Sequence, residues 1–206
     1  MDFGDTTVIR DLFLTSTKGR RSVSWGRMGP GRPPTLLALP GTHKPAAGTL
    51  HIGGKVFEPS DGARLGYLRE ERGLYEKEAA LDVMTYFGRL TGLFKPASRS
   101  WSENYLERVR IPEEAKARLD KLSGGQQQKV QLGVTIMNNP ELLILDEPTK
   151  GLDPVNRRLL KDIIEEHKPA GVTVIMVTHQ MEEVERLCDG VILLKDGASR
   201  EAPDPR

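Results

Sequence analysis

Cysteine is nearly missing from this chain: Cys188 is the only one in 206 residues. An intramolecular disulfide is therefore excluded, which fits a reducing compartment. Long apolar runs are missing too. No stretch approaches the roughly 20 apolar residues that cross a bilayer as a helix, so any membrane role must come through a partner. Net charge is small: 30 Lys and Arg stand against 29 Asp and Glu, for a formal charge of +1. That balance gives no global case for a nucleic-acid or acidic partner. The start, Met1-Asp2-Phe3-Gly4-Asp5, does not read as a signal peptide. The length suits one α/β domain with enough core to fold.

What is present is concentrated between Leu122 and His179. Leu142 to Leu145 is an unalternating apolar run, as expected of a strand buried on both faces of a parallel sheet. Asp146 and Glu147 follow at its carboxyl end, where open α/β sheets bind ligands. In an extended strand Glu147 would point away from Asp146. The competing reading is a pair of capping or loop carboxylates. Ser123 is an N-cap type, and Gly124 and Gly125 let a phosphate approach the backbone. Val130, Val134 and Met137 then share one helical face. Asp153 caps a further helix with Pro154 as its first residue. Val172 to Val177 is a β-branched strand that leads to His179.

Four motifs thus fall in one order: Leu122-Ser123-Gly124-Gly125-Gln126, then Leu142 to Pro148, then Gly151-Leu152-Asp153-Pro154, then Val172 to His179. Together they resemble the ATP-binding subunit of an ABC transporter. The resemblance implies a P-loop ATPase core, with a parallel-rich sheet flanked by helices and an inserted helical subdomain. It implies ATP and Mg²⁺ as cofactors. Asp146 would hold Mg²⁺, Glu147 would activate the attacking water, and His179 would reach the γ-phosphate. Leu122 to Gln126 would grip ATP held by the opposing subunit, with Asp153 at the same interface. Phe3 would stack on adenine; its alternative is a frayed terminus.

The segment from Gly19 to Gly41 departs from this pattern. A phosphate loop reads G-x-x-x-x-G-K-[ST]. Here Gly26, Gly29 and Gly31 stand in place, but Arg32 takes the lysine position and Pro33 the hydroxyl position, followed by Pro34. Arginine is a planar fork rather than a compact charge. Proline has neither hydroxyl nor N–H. The preceding strand should be apolar, yet it reads Arg20-Arg21-Ser22-Val23-Ser24-Trp25. Trp25 to Pro34 can be encoded TGG GGC CGA ATG GGG CCG GGA AGA CCA CC. With a preceding C and a grouping one base earlier, the same bases translate as Leu-Gly-Pro-Asn-Gly-Ala-Gly-Lys-Thr-Thr, an intact phosphate loop. A compensated frame slip is the favoured reading, with disorder expected around Arg20 to Pro34. The alternatives are a diverged nucleotide loop, or a basic patch from Lys18, Arg20, Arg21, Arg27 and Arg32. That patch has Trp25 as its aromatic company, and no nucleic-acid partner is expected.

Gly48 to Gly54 reads as a strand and hairpin turn. Gly66 to Tyr75 resembles the family's Q-loop region, with Glu70 in the glutamine slot. That variant resembles prokaryotic sodium-efflux-type exporters, and Glu70 would add an oxygen to the Mg²⁺ site; the alternative is a solvated acidic loop. Val83, Phe87, Leu90 and Phe94 have helical spacing within an amphipathic segment. Lys95 to Ser98 reads as a loop, and Ile111 to Glu114 as a helix start. The expected division is a first part of the core over residues 1–75, a helical insert over 76–121, the rest of the core over 122–197 and a disordered tail over 198–206. Both ends are expected to be shortened relative to the family. The implied partners are a transmembrane permease and a second ATPase subunit, identical or different, with the chain on the inner face of the membrane. The implied function is ATP-driven transport, in the export direction, with ATP binding impaired in this copy. The rivals are a non-hydrolysing regulatory subunit and a soluble ABC protein of translation or repair.

Overall fold

Strand β7, Leu142–Asp146, is buried along its whole length, and Leu143, Ile144 and Leu145 expose no surface. Its side chains alternate between two cores. Leu143 and Leu145 enter a larger cluster with Leu68, Val174 and Met176. Leu142 and Ile144 enter a smaller one with Ile52, Ile175 and Val177. This is the continuous apolar pattern of a strand covered on both faces.

The computed structural model describes residues 51–52, 54–58, 62, 64–70, 74–167 and 169–178 with their side chains, and the backbone of five further strands. Those strands are β1 (Asp2–Phe3), β2 (Thr6–Thr7), β3 (Arg21–Trp25), β9 (Gly190–Lys195) and β10 (Ala198–Ala202). The main sheet has six strands in the order β10-β9-β3-β8-β7-β6, with β6 at Leu65–Leu68 and β8 at Thr173–Val177. Pairing is parallel from β9 through to β6, and β10 joins antiparallel at one edge. A short hairpin, β4 (His51–Ile52) and β5 (Lys55–Val56), meets the smaller core through Ile52. Arg64 fixes it there: Nη2 donates to the Ile52 carbonyl at 2.7 Å while Nε pairs with Glu141 at 2.8 Å.

Three helices lie in sequence between the paired strands β6 and β7: α1 (Ala80–Leu90), α2 (Lys95–Arg108) and α3 (Gly124–Ile136). A fourth, α4 (Pro154–His167), joins β7 to β8 and buries Leu160, Ile163 and Ile164. Along the amphipathic stripe Val83 is buried and Phe87 half-buried, and the stripe's far end is open: Leu90 is 62% exposed and Phe94, the residue before α2, 84%. Lys95 to Ser98 is the first turn of α2 rather than a loop, because Pro96 is well placed in a first turn and Ser98 donates its hydroxyl to the Thr85 carbonyl at 2.9 Å. Pro112–Lys116 and Leu119–Lys121 form 3₁₀ turns.

Two corrections concern the ends of the main sheet's sequence. Ala198–Ala202, expected within a disordered tail, pairs along its whole length with β9, since an edge strand needs only backbone partners. Arg21–Trp25, expected to lack order, is an interior strand between β8 and β9.

Candidate functional site

Glu147 is the first residue past β7 and is not part of the strand, contrary to the extended geometry expected for it. Its φ is 47°, in the left-handed region that a side chain with a Cβ enters at a cost. The bend is held from three sides. Glu147 N–H donates to the Val177 carbonyl at 2.8 Å, and its carbonyl accepts from Lys150 N–H at 3.1 Å. The Thr178 hydroxyl donates to Glu147 Oε2 at 3.4 Å. Glu147 is only 8% exposed and Asp146 only 6%. Strained residues at the end of a central strand mark functional positions. Two buried carboxylates there are hard oxygen donors of the kind Mg²⁺ takes beside phosphate oxygens.

The turn after Glu147 ends at Gly151, whose φ of 73° suits glycine, and Asp153 then caps α4. Asp153 Oδ1 accepts from Val155 N–H at 2.9 Å and Asn156 N–H at 3.0 Å. These bonds, the Asn156 backbone first, hold its carboxyl below the usual carboxylate range.

Ser123 opens α3 with a complete capping box. Its Oγ accepts from Gln126 N–H at 3.3 Å, and Ser123 N–H donates to Gln126 Oε1 at 2.7 Å. Gly124 and Gly125 form the first turn, whose remaining N–H groups and dipole favour an anion. Leu122 is buried in the larger core. Further along, Lys129 Nζ donates to the Val109 carbonyl at 2.8 Å, capping the end of α2. Burial lowers the Lys129 pKa from its ordinary value, against the pull of Asp153.

Sequence reasoning missed the residues that tie these parts together. Gln128 Nε2 donates to the Pro148 carbonyl at 3.2 Å, so α3 touches the turn beside Glu147. Gln131 Nε2 donates to the Arg69 carbonyl at 2.9 Å, next to Glu70. Lys150 forms an ion pair with Glu70. The glutamine run Gln126-Gln127-Gln128, polar on what becomes a half-buried helix start, was the available signal. Thr178 was legible as the hydroxyl directly before His179. Of the sequence-predicted residues, Gly26, Gly29, Gly31, Arg32, Pro33, Pro34 and His179 lie outside the described residues. Phe3 is described by its backbone, in β1, opposite Thr6.

The chain is similar to known proteins of one kind. The ABC transporter family model matches residues 9–150. An uncharacterised ABC transporter ATP-binding protein of Methanocaldococcus jannaschii is 40% identical over 195 residues, covering 95% of this chain and 71% of that protein. The linearmycin resistance ATP-binding protein of Bacillus subtilis is 30% identical, covering 95% and 64%. The Nod factor export ATP-binding protein I of Cupriavidus pinatubonensis is 33% identical, covering 95% and 61%. The chain thus spans roughly two thirds of such relatives. A solved ATP-binding subunit of an ABC transporter shares the fold with a TM-score of 0.88 at 24% identity, over 97% of this chain and 85% of that one. The fold, the motif order and these likenesses make one conclusion: the chain belongs to the ABC transporter ATP-binding subunits, a family of nucleotide-binding ATPases.

Proposed function

We propose that this chain is the energy-coupling subunit of an exporter, driving a separate membrane permease by ATP binding and hydrolysis. The observation that carries the reading is the buried, left-handed Glu147 beside Asp146, gripped by Val177 and Thr178. Asp146 would hold Mg²⁺, which would supply positive charge to the phosphates. Glu147 would take a proton from the attacking water, with the Thr178 hydroxyl orienting its carboxylate. His179, one residue beyond Thr178, would meet the γ-phosphate. Glu70, paired with Lys150, would add an oxygen to the metal. Ser123 to Gln126 and Asp153 would serve the nucleotide of a second subunit, so that two chains close on ATP. Among the described residues no helix is long and apolar enough to cross a membrane. An exposed apolar surface supports a permease contact: Tyr75, Tyr86, Leu90 and Phe94 are 57%, 44%, 62% and 84% exposed. The export direction rests on relatives whose names refer to resistance and export.

The phosphate loop of this copy is impaired. Arg32 and Pro33 do not supply the compact cation and the hydroxyl that phosphate and Mg²⁺ require. The interior place of Arg21–Trp25 supports a frame slip over adaptation. A strand flanked on both sides by parallel neighbours should be apolar, yet this one reads Arg21-Ser22-Val23-Ser24-Trp25 and follows Arg20. Calorimetric titration with Mg²⁺-ATP tests this. Little heat is expected at micromolar ATP from the chain as it stands, and saturable heat once Trp25 to Pro34 is replaced by Leu-Gly-Pro-Asn-Gly-Ala-Gly-Lys-Thr-Thr. Tight, Mg²⁺-dependent binding by the unaltered chain would overturn the impairment. No binding by the restored chain would overturn the nucleotide reading.

A further inference from the structure

We propose that Glu114 is a positioning residue for the Ser123–Gln126 loop: its carboxylate sets the orientation of the Gln126 amide and thereby keeps the capping box closed. The proposal deepens the nucleotide reading, since this is the loop that would meet ATP.

Gln126 makes two side-chain contacts of opposite kind. Its Oε1 accepts from Ser123 N–H at 2.7 Å, and its Nε2 donates to Glu114 Oε1 at 3.0 Å. An ionised carboxylate only accepts, so it can face only the NH₂ end of the amide. The carbonyl end must then face Ser123 N–H. Turning the amide over would set NH₂ against N–H and carbonyl against carboxylate, and both contacts would fail together. Without Glu114, the amide loses its Nε2 partner and the Ser123 N–H alone selects its orientation. Glu114 is itself fixed, because its 3₁₀ turn is closed by Glu114 N–H to the Ile111 carbonyl at 3.2 Å and Ala117 N–H to the Glu114 carbonyl at 2.9 Å. Both side chains are half-buried, which keeps the contact out of full competition with water. With Ser123 and Gln126 N–H groups engaged inside the box, the Gly124 and Gly125 amides are left to an anion.

Amide hydrogen exchange by NMR on the full chain tests this with three variants. In Glu114→Ala and Glu114→Lys, Ser123 N–H exchange should rise about tenfold relative to the Leu143 to Leu145 amides. Glu114→Gln should stay within about twofold of the parent, because its amide oxygen still accepts. Unchanged Ser123 protection in Glu114→Ala would overturn the assignment. So would equal loss in Glu114→Gln and Glu114→Ala, or an equal acceleration of the Leu143 to Leu145 amides. No nucleotide enters this experiment, so its failure would sink Glu114 alone, whereas failure of the nucleotide reading shows in the calorimetry.

Discussion

Glu147 illustrates how a single residue joins sequence, strain and chemistry. Its left-handed backbone is retained although a glycine there would relax it. The hydroxyl of Thr178 donates to its carboxylate at 3.4 Å. Thr178→Val removes that donor at nearly constant shape, and should lower unfolding free energy by about 1 kcal/mol in urea titration. No change would mean that the contact is incidental. Asp153 behaves differently because it is exposed. Its carboxyl sits below the usual range through the Asn156 and Val155 amides. A depressed folded pKa gives stability that is present above the unfolded value of about 3.9 and lost as pH falls through the folded value. Asp153→Asn keeps a cap without the charge. Its thermal midpoint should match the parent near the acid end and fall below it above about pH 4. A midpoint difference independent of pH would contradict the assignment.

At the scale of elements, close approach decides what α3 tolerates. A Cβ on Gly133 would lie 2.5 Å from Tyr105 Cε1 and 2.7 Å from Met84 Cε, so α1 and α2 reach α3 only because this residue has no side chain. Gly133→Ala should destabilise by about 1–3 kcal/mol in denaturant unfolding despite its better helix propensity. A stabilised variant would show that the contact yields freely. Tyr105 adds to the same joint: its hydroxyl donates to the Lys129 carbonyl at 2.9 Å and its ring stacks on Trp101 at 5.1 Å, while burial pushes its pKa up. The strands β7 and β8 and the caps at Ser123 and Asp153 were legible because each depends on local pattern. The start of α2 was not. Pro96 reads as a breaker when it is in fact a first-turn residue, and Ser98 is held by Thr85 across to α1. The strand Ala198–Ala202 was hidden because its order comes from β9 and not from its own polar composition.

For the whole molecule, the sequence carried the motif order but not the contacts that link motifs. Gln128 to Pro148 and Gln131 to Arg69 bridge 20 and 62 residues of sequence, which no local pattern encodes. The frame-slip account makes a separate prediction at the level of the gene. Codons for Trp25 to Pro34, grouped one base earlier, should read Leu-Gly-Pro-Asn-Gly-Ala-Gly-Lys-Thr-Thr. Resequencing that finds codons unable to regroup would leave a diverged loop instead. The proposed permease surface predicts that Phe94→Asp abolishes capture of a co-expressed permease that the parent chain captures, with the thermal midpoint kept, since Phe94 is 84% exposed. Capture that survives the substitution would place the contact elsewhere.

The central claim is that Glu147 is the base of an ATP-hydrolysing site built from two chains. The direct measurement compares two proteins with the restored loop, one with Glu147 and one with Glu147→Gln, by phosphate release and by size in the presence of Mg²⁺-ATP. Turnover should fall by at least about a hundredfold in Glu147→Gln, in keeping with loss of a general base. ATP should meanwhile hold that variant as a dimer. Hydrolysis retained in Glu147→Gln, or a chain that stays monomeric with ATP, would contradict the account.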